Sequence, residues 1–457
     1  MAGVAQTFRF ELYDTDGIPA KNYAERRARV VESMSENSII IVEAADVRNR
    51  QNDVDYEYRQ DSDLLYLTGF PYPKATLLLS KKGISIGPKL FHAVLFVRPR
   101  VESVEQWTGV QMGTEEAMRY LHIDTVLNND QLSDVLKSVL HDERSSSPNQ
   151  TSADTIFIAR LPTPTVSMPL LEKNLSVSSE LRRGLSEKFP GVVLRTGIPK
   201  LAAMRMVKDQ DELELLQRAV DISIEGHLAT IRGAKPGMKE YELEALMEYT
   251  FKKLGAEDVG YPSIVGSSYN ACILHYNTNR RSTQKNELVL ADCGAEFRGY
   301  TADITRTFPI SGKFTSDQRT IYNIVKEAQD SGIAACVVGA TFRAPHNAAM
   351  SVVAKRLIKL GIITEKTDAK KYFMHGTSHY LGLDVHDPGT NGALEENVVI
   401  TVEPGIYIAE GSDCDKRWWN IGVRIEDDIL ITSGKPVNMS EKLPRSADEI
   451  EQLMAQP

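Results

Sequence analysis

The stretch ELVLADCGAEFRGYTADITRTF, which begins at Glu287, carries two aspartates, Asp292 and Asp303, in segments that otherwise read as strands. Aspartate is depleted in strands. Arg298-Gly299 reads as a turn, so the piece reads as a β-hairpin. A turn centred on Phe297 and Arg298 would set Asp292 directly opposite Asp303. Like charges in that arrangement repel. Either one aspartate is a turn or solvent-facing residue, or a cation sits between the two and supplies the counter-charge.

A cation needs further ligands, and the chain offers several. FMHGTSHYLGLDVHDPG holds His375, His379 and His386, three of the nine histidines. A lone histidine is more often structural than a ligand, but three this close among glycines make a candidate site. The HxxxH spacing lacks the glutamate of a zincin, and Gly376 and Thr377 weaken a helix there. In VVITVEPGIYI, Glu403 ends an apolar run, where a carboxylate should not stay unpaired. In NIGVRIEDDILIT, Arg424 and Glu426 are two apart and share a strand face; alone they read as a surface salt bridge. His275, in SYNACILHYNT, reads alone as a satisfied core histidine. Asp292, Asp303, His379, Glu403 and Glu426 together make an oxygen-rich set with one nitrogen. Such a set suits Mn²⁺, with Zn²⁺, Co²⁺ or Fe²⁺ as alternatives. Four carboxylates are too many for one catalytic ion and suit two metals with bridging carboxylates.

The elements that must position these residues follow from the pattern. Residues 22–36 read as a helix and SIIIVEAA as a buried strand; ATLLLS, FHAVLFVRPR and TIFIAR are further strands. Alternation of strands and helices makes the first part α/β. A long amphipathic helix begins near Lys208 and a second follows KPGMKEY, which places a domain boundary near residue 200. After residue 284 the chain is mostly strand, with helices near 315–337 and 345–360. HDERSSSPNQTSAD (141–154) reads as a polar surface loop.

Composition limits the partners. The 457 residues carry 42% hydrophobic and 25% charged side chains, as an ordinary globular protein does. A net charge of −9 argues against nucleic acid and anionic membrane surfaces. No run approaches the roughly eighteen apolar residues of a membrane span. The opening MAGVAQTFRFELYDTDG lacks a basic region followed by an apolar one, so no secretory signal is expected. The four cysteines are scattered without CxxC, which fits a reducing cytoplasm.

The spacing DCG…TADITRTF…HGTSHYLGLDVHD…TVEPGIYI…GVRIEDD resembles the pita-bread metallopeptidases, and among them the bacterial-type aminopeptidase P family of Xaa-Pro aminopeptidases. YRQDSDLLYLTGF, RPR…EQWTG and RMVKDQDELELLQRA resemble other parts of that family. The resemblance implies an α+β chain. An α/β N-terminal domain (1–200), of the creatinase/aminopeptidase P kind, would serve substrate access and oligomerisation. A pita-bread catalytic domain (201–457) would follow. It implies two divalent ions, with Asp292 on one, Asp303 and Glu426 bridging, and His379 and Glu403 on the other. Glu403 would also act as general base. His275, His375, His386 and Arg424 would line the substrate site. Trp107 matches a tryptophan near a neighbouring subunit's site, so a homodimer or homotetramer is expected. The substrates would be small peptides with an N-terminal Xaa-Pro. Prolidase, which takes only dipeptides, is the alternative; a methionine aminopeptidase or a creatinase-like hydrolase fits less well. A metal-free pita-bread binding module would show broken ligand positions, and none is broken here.

Overall fold

The computed structural model describes residues 17–140, 153–158 and 177–456. The N-terminal opening up to residue 16 and residues 141–152 of the Ser-rich segment lie outside the described residues. The chain forms two compact units, dividing between Ala202 and Ala203.

The first unit is built on a six-stranded mixed sheet. Its strands are β1 (Ser38–Glu43), β2 (Thr76–Ile86), β3 (Lys89–Val97), β4 (Thr125–Asn128), β5 (Thr155–Ile158) and β6 (Val193–Thr196), in the order β4-β3-β2-β1-β5-β6. Ile39 to Val42 are all buried, because β1 is central and covered on both faces. Helix α1 (Ala20–Ser33) precedes that strand. Trp107 stands on the short helix Glu102–Thr108 and is 89% exposed.

The second unit packs helices on small sheets. Helix α2 (Gln210–Gly233) starts where Asp209 accepts from the Glu212 amide while Glu212 accepts from the Asp209 amide, a reciprocal cap. Helices α3 (Glu240–Lys253), α4 (Ser316–Ala334) and α5 (Ala344–Lys359) follow. Their apolar faces, with Met247, Phe251, Ile321, Val325 and Val353, join Val289, Phe308 and Val423 of the strands in one core. Strands β7 (Ile264–Ser267), β8 (Leu288–Asp292) and β11 (Thr305–Pro309) form one antiparallel sheet, with β8 central. β9 (Ala295–Phe297) and β10 (Tyr300–Thr301) pair separately; β12 (Val399–Val402) pairs with β15 (Asp427–Leu430), and β13 (Gly405–Ile408) with β14 (Ile421–Arg424).

The hairpin expected over 287–308 forms, but in a different register. Arg298 (φ 52°) and Gly299 (φ 81°) both adopt left-handed backbone, so the turn centres on them rather than on Phe297-Arg298. Phe297 therefore opposes Tyr300, and Asp292 opposes Thr305 instead of Asp303. Asp303 sits in a break between β10 and β11, close to Asp292 but not across from it. Gly294 makes that break possible: a Cβ there would lie 1.8 Å from the Ala302 carbonyl oxygen.

Beneath the break lies a buried ion network. Arg306 is 0% exposed and donates to Asp427 at 2.7 Å, to the Glu426 carbonyl at 2.7 Å and to the Pro444 carbonyl at 2.9 Å. Removing one member of such a pair leaves an uncompensated buried charge. Arg306→Met should therefore lose about 3–5 kcal/mol of stability in urea unfolding. A loss under about 0.5 kcal/mol, typical of surface positions, would contradict this account of the network.

Candidate active site

The chemically equipped residues sit where strand pairing stops. Asp292 ends β8, Asp303 lies in the break before β11, Glu403 follows β12, Arg424 ends β14, and Glu426 lies between β14 and β15. The three histidines ride on an irregular segment, 373–389, with no helix. One donor atom each from Asp303, His379 and Glu426 falls within 4.8 Å of the others. His379 Nε2 is 3.2 Å from Asp303 Oδ2 and 3.7 Å from Glu403 Oε1. Arg424 contacts Asp292 Oδ2 at 2.5 Å. Arg424 and Glu426 are buried, so this is not the surface pair that their spacing alone suggests.

These groups line one cleft of about 550 Å³, with His275, His375, His386 and the apolar Pro262, Ile264, Leu274 and Val385. Its size is that of a small-molecule or peptide site. His275 is exposed rather than a core histidine. Of the candidate residues, Trp107 alone belongs to the other unit.

Hydrogen bonds settle which nitrogens carry protons. His379 Nδ1 lies 3.1 Å from the Tyr380 carbonyl, which can only accept, so Nδ1 holds the hydrogen. In the neutral ring, Nε2 then offers a lone pair toward Asp303. An imidazole fixed through its far nitrogen by a backbone carbonyl is the usual support of a metal ligand. His375 Nδ1 likewise donates to the Gly376 carbonyl at 2.6 Å, leaving Nε2 to accept from the Tyr407 hydroxyl at 2.8 Å. Tyr407 in turn accepts from Arg424 Nη1 at 2.9 Å.

The electrostatics describe a cluster in want of positive charge. Burial, then the neighbouring Asp292, raises the Asp303 carboxyl. Burial raises Glu403 to about 7, against the pull of His379 and Arg424, and raises Glu426 strongly, with Asp303 adding to it. Burial would lower His379, but the Asp303 and Glu403 carboxylates outweigh it and lift it to about 9. His375 and His386 both fall to about 4, through burial and then through Arg424 and His379 respectively. Converging carboxylate oxygens with one oriented imidazole form a donor set that fits divalent cations.

Three supporting residues escape a reading of the sequence. The Tyr261 hydroxyl is 2.6 Å from both Asp292 Oδ1 and Asp303 Oδ1. Thr305 donates to Glu426 Oε2 at 2.6 Å, and Tyr407 links His375 to Arg424. Tyr407 and Thr305 lie inside the motifs already singled out, whereas no spacing signal points to Tyr261.

Known proteins resemble this chain over almost its whole length. The sequence pattern of metallopeptidase family M24 matches residues 214–433, and that of the aminopeptidase P N-terminal domain matches residues 23–147. The Xaa-Pro aminopeptidases of Haemophilus influenzae and Escherichia coli are each 35% identical to it, over 96% of this chain and 98% of theirs. The chain belongs to metallopeptidase family M24, in its aminopeptidase P branch. Among solved structures, Pseudomonas aeruginosa aminopeptidase PepP superposes with a TM-score of 0.82 at 33% identity, covering 96% of this chain and 99% of that one. E. coli aminopeptidase P with the inhibitor Pro-Leu matches at 0.82 and 34%, covering 96% and 98%. The M24 fold expected from the motifs, an N-terminal α/β domain and a pita-bread domain, is the fold of these neighbours. This M24 chain is accordingly a metal-dependent peptidase. No helix of the described residues is long and apolar enough to cross a membrane.

Proposed function

We propose that this M24 chain is an Xaa-Pro aminopeptidase that releases the first residue of peptides with proline second. The observation that carries the reading is the convergence of Asp303, His379 and Glu426 at one cleft, with Asp292 and Glu403 beside them. It stands in a chain 35% identical, almost end to end, to Xaa-Pro aminopeptidases. Two divalent ions, Mn²⁺ foremost, would be held by Asp292 on one side, by His379 and Glu403 on the other, and by Asp303 and Glu426 between. When bound, they supply Lewis-acid activation of the scissile carbonyl and of the attacking water.

The side chains do the rest. Glu403, on the cleft wall and 3.7 Å from His379, would take the water proton on its carboxylate and pass it to the departing proline nitrogen. His275 and His386, on the cleft wall, donate to the oxyanion and the substrate backbone. The same cluster would receive the free amine of an unblocked N-terminus. His375 and Arg424, joined through Tyr407, would shape the proline subsite.

His386→Ala should keep its metals yet lose on the order of a hundredfold or more in kcat, the worth of one oxyanion donor. Elemental analysis beside steady-state kinetics checks this; metal loss would make His386 a ligand and unseat His379.

The four cysteines are free thiols, which supports residence in the cytoplasm. The exposed Trp107 supports a homodimer or homotetramer in which it anchors an interface. Light scattering should give two or four chains at micromolar concentration. A monomer would remove this part of the reading.

A further inference from the structure

The segment RMVKDQDEL carries two cations that the chemistry above does not use. Arg205 and Lys208 are 4% and 2% exposed, and both reach Asp387, itself 7% exposed. Arg205 Nη2 lies 2.5 Å from Asp387 Oδ1, and Lys208 Nζ lies 3.3 Å from Oδ2. Arg205 also holds Asp384 at 2.7 Å. Asp387 follows His386 directly in sequence, and Tyr380 follows His379. The Asp387 amide donates to the Tyr380 carbonyl at 2.9 Å, and the Asp384 amide donates to Asp387 Oδ1 at 3.2 Å. Asp387 thus closes a loop whose two ends carry the two histidines. Across that closure the His379 and His386 rings meet edge to face, with centroids 4.4 Å apart. Gly382 leaves room for the carboxylate: a Cβ there would come within 2.7 Å of Asp387 Oδ2.

We infer that Asp387, clamped between Arg205 and Lys208, is a positioning residue that fixes His386 against His379 and over the cleft. His386 is exposed, in an irregular segment, and neighbours a buried charge that two cations hold in place. A free loop would let its imidazole wander, whereas the clamp sets where its backbone leaves the core. The functional consequence rests on the proposed role of His386 toward substrate.

The test uses Asp387→Asn, Lys208→Met and His386→Ala in the metal-loaded full chain, with Ala-Pro-Ala as substrate. Asp387→Asn should keep metal content and KM but lower kcat about tenfold or more, because a displacement of about 1 Å costs on the order of a hundredfold. In the His386→Ala background the same change should cost less than about twofold, since the two residues then act as one unit. Equal losses in both backgrounds would overturn the inference, because a merely structural defect adds. Histidine ring NMR, with diamagnetic Zn²⁺ as the loaded ion, gives a readout independent of turnover: the His386 signals should move in Asp387→Asn and in Lys208→Met, and unmoved signals would overturn the inference. Should Asp387→Asn fail to fold, Lys208→Met, which leaves Arg205 on the carboxylate, carries the same readouts. If His386→Ala turns over like the parent, the substrate role of His386 has failed; displaced ring signals would still support the clamp.

Discussion

Asp303→Asn and Glu426→Gln should each give folded protein that binds less metal and has lost almost all turnover. Both carboxylates belong to the triple whose donor atoms converge within 4.8 Å among the described residues. Each is buried, and each is raised by burial and by the other carboxylates, so the charged cluster costs the metal-free fold stability. An amide of the same shape removes that repulsion. The metal-free variants should therefore melt no lower than the metal-free parent. On the proposed reading, what they lose is the charge that would hold cations, and each would serve two ions at once. The loss in turnover should exceed the roughly 10–100-fold typical of a ligand's supporting partner. Metal analysis and kinetics in added Mn²⁺ read this out. Near-normal turnover in either variant would contradict the two-metal assignment.

Much of the candidate site is legible in the amino-acid sequence, because a carboxylate buried in an apolar segment is costly and therefore stands out. Asp292 in an apolar strand and Glu403 at the end of another are conspicuous for that reason. The register of the hairpin is not legible to the residue. Two left-handed residues at Arg298-Gly299 shift the turn by one position, and Gly294 breaks the strand where the pattern implies a regular ladder. His275 and Arg424 mislead when taken alone, since burial depends on contacts far along the chain. Arg424 pairs with Asp292 at a distance in sequence that no local pattern encodes. The same holds for Tyr261, whose value lies in touching two aspartates at once. The clamp on Asp387 is hidden likewise, its three charges being ordinary surface residue types until the fold buries them together.

Proline selectivity should be the largest discrimination this site makes. The cleft joins an anionic floor of carboxylates to a wall of His275, His375, His386 and Arg424. On the proposed reading a peptide's free amine meets the first, and its second residue fits against the second. Acetylation removes the free amine and should abolish cleavage. Exchange of proline for alanine removes the ring that the wall would receive. A prolidase, the alternative reading, would refuse anything longer than a dipeptide.

The most direct measurement is release of free alanine, in Mn²⁺, from Ala-Pro-Ala, its N-acetylated form, Ala-Ala-Ala and Ala-Pro. The account predicts rapid release from Ala-Pro-Ala, none from the acetylated peptide, and little from Ala-Ala-Ala. Equal release from Ala-Ala-Ala would contradict proline specificity, cleavage of the acetylated peptide would contradict an aminopeptidase, and turnover of Ala-Pro alone would make the chain a prolidase.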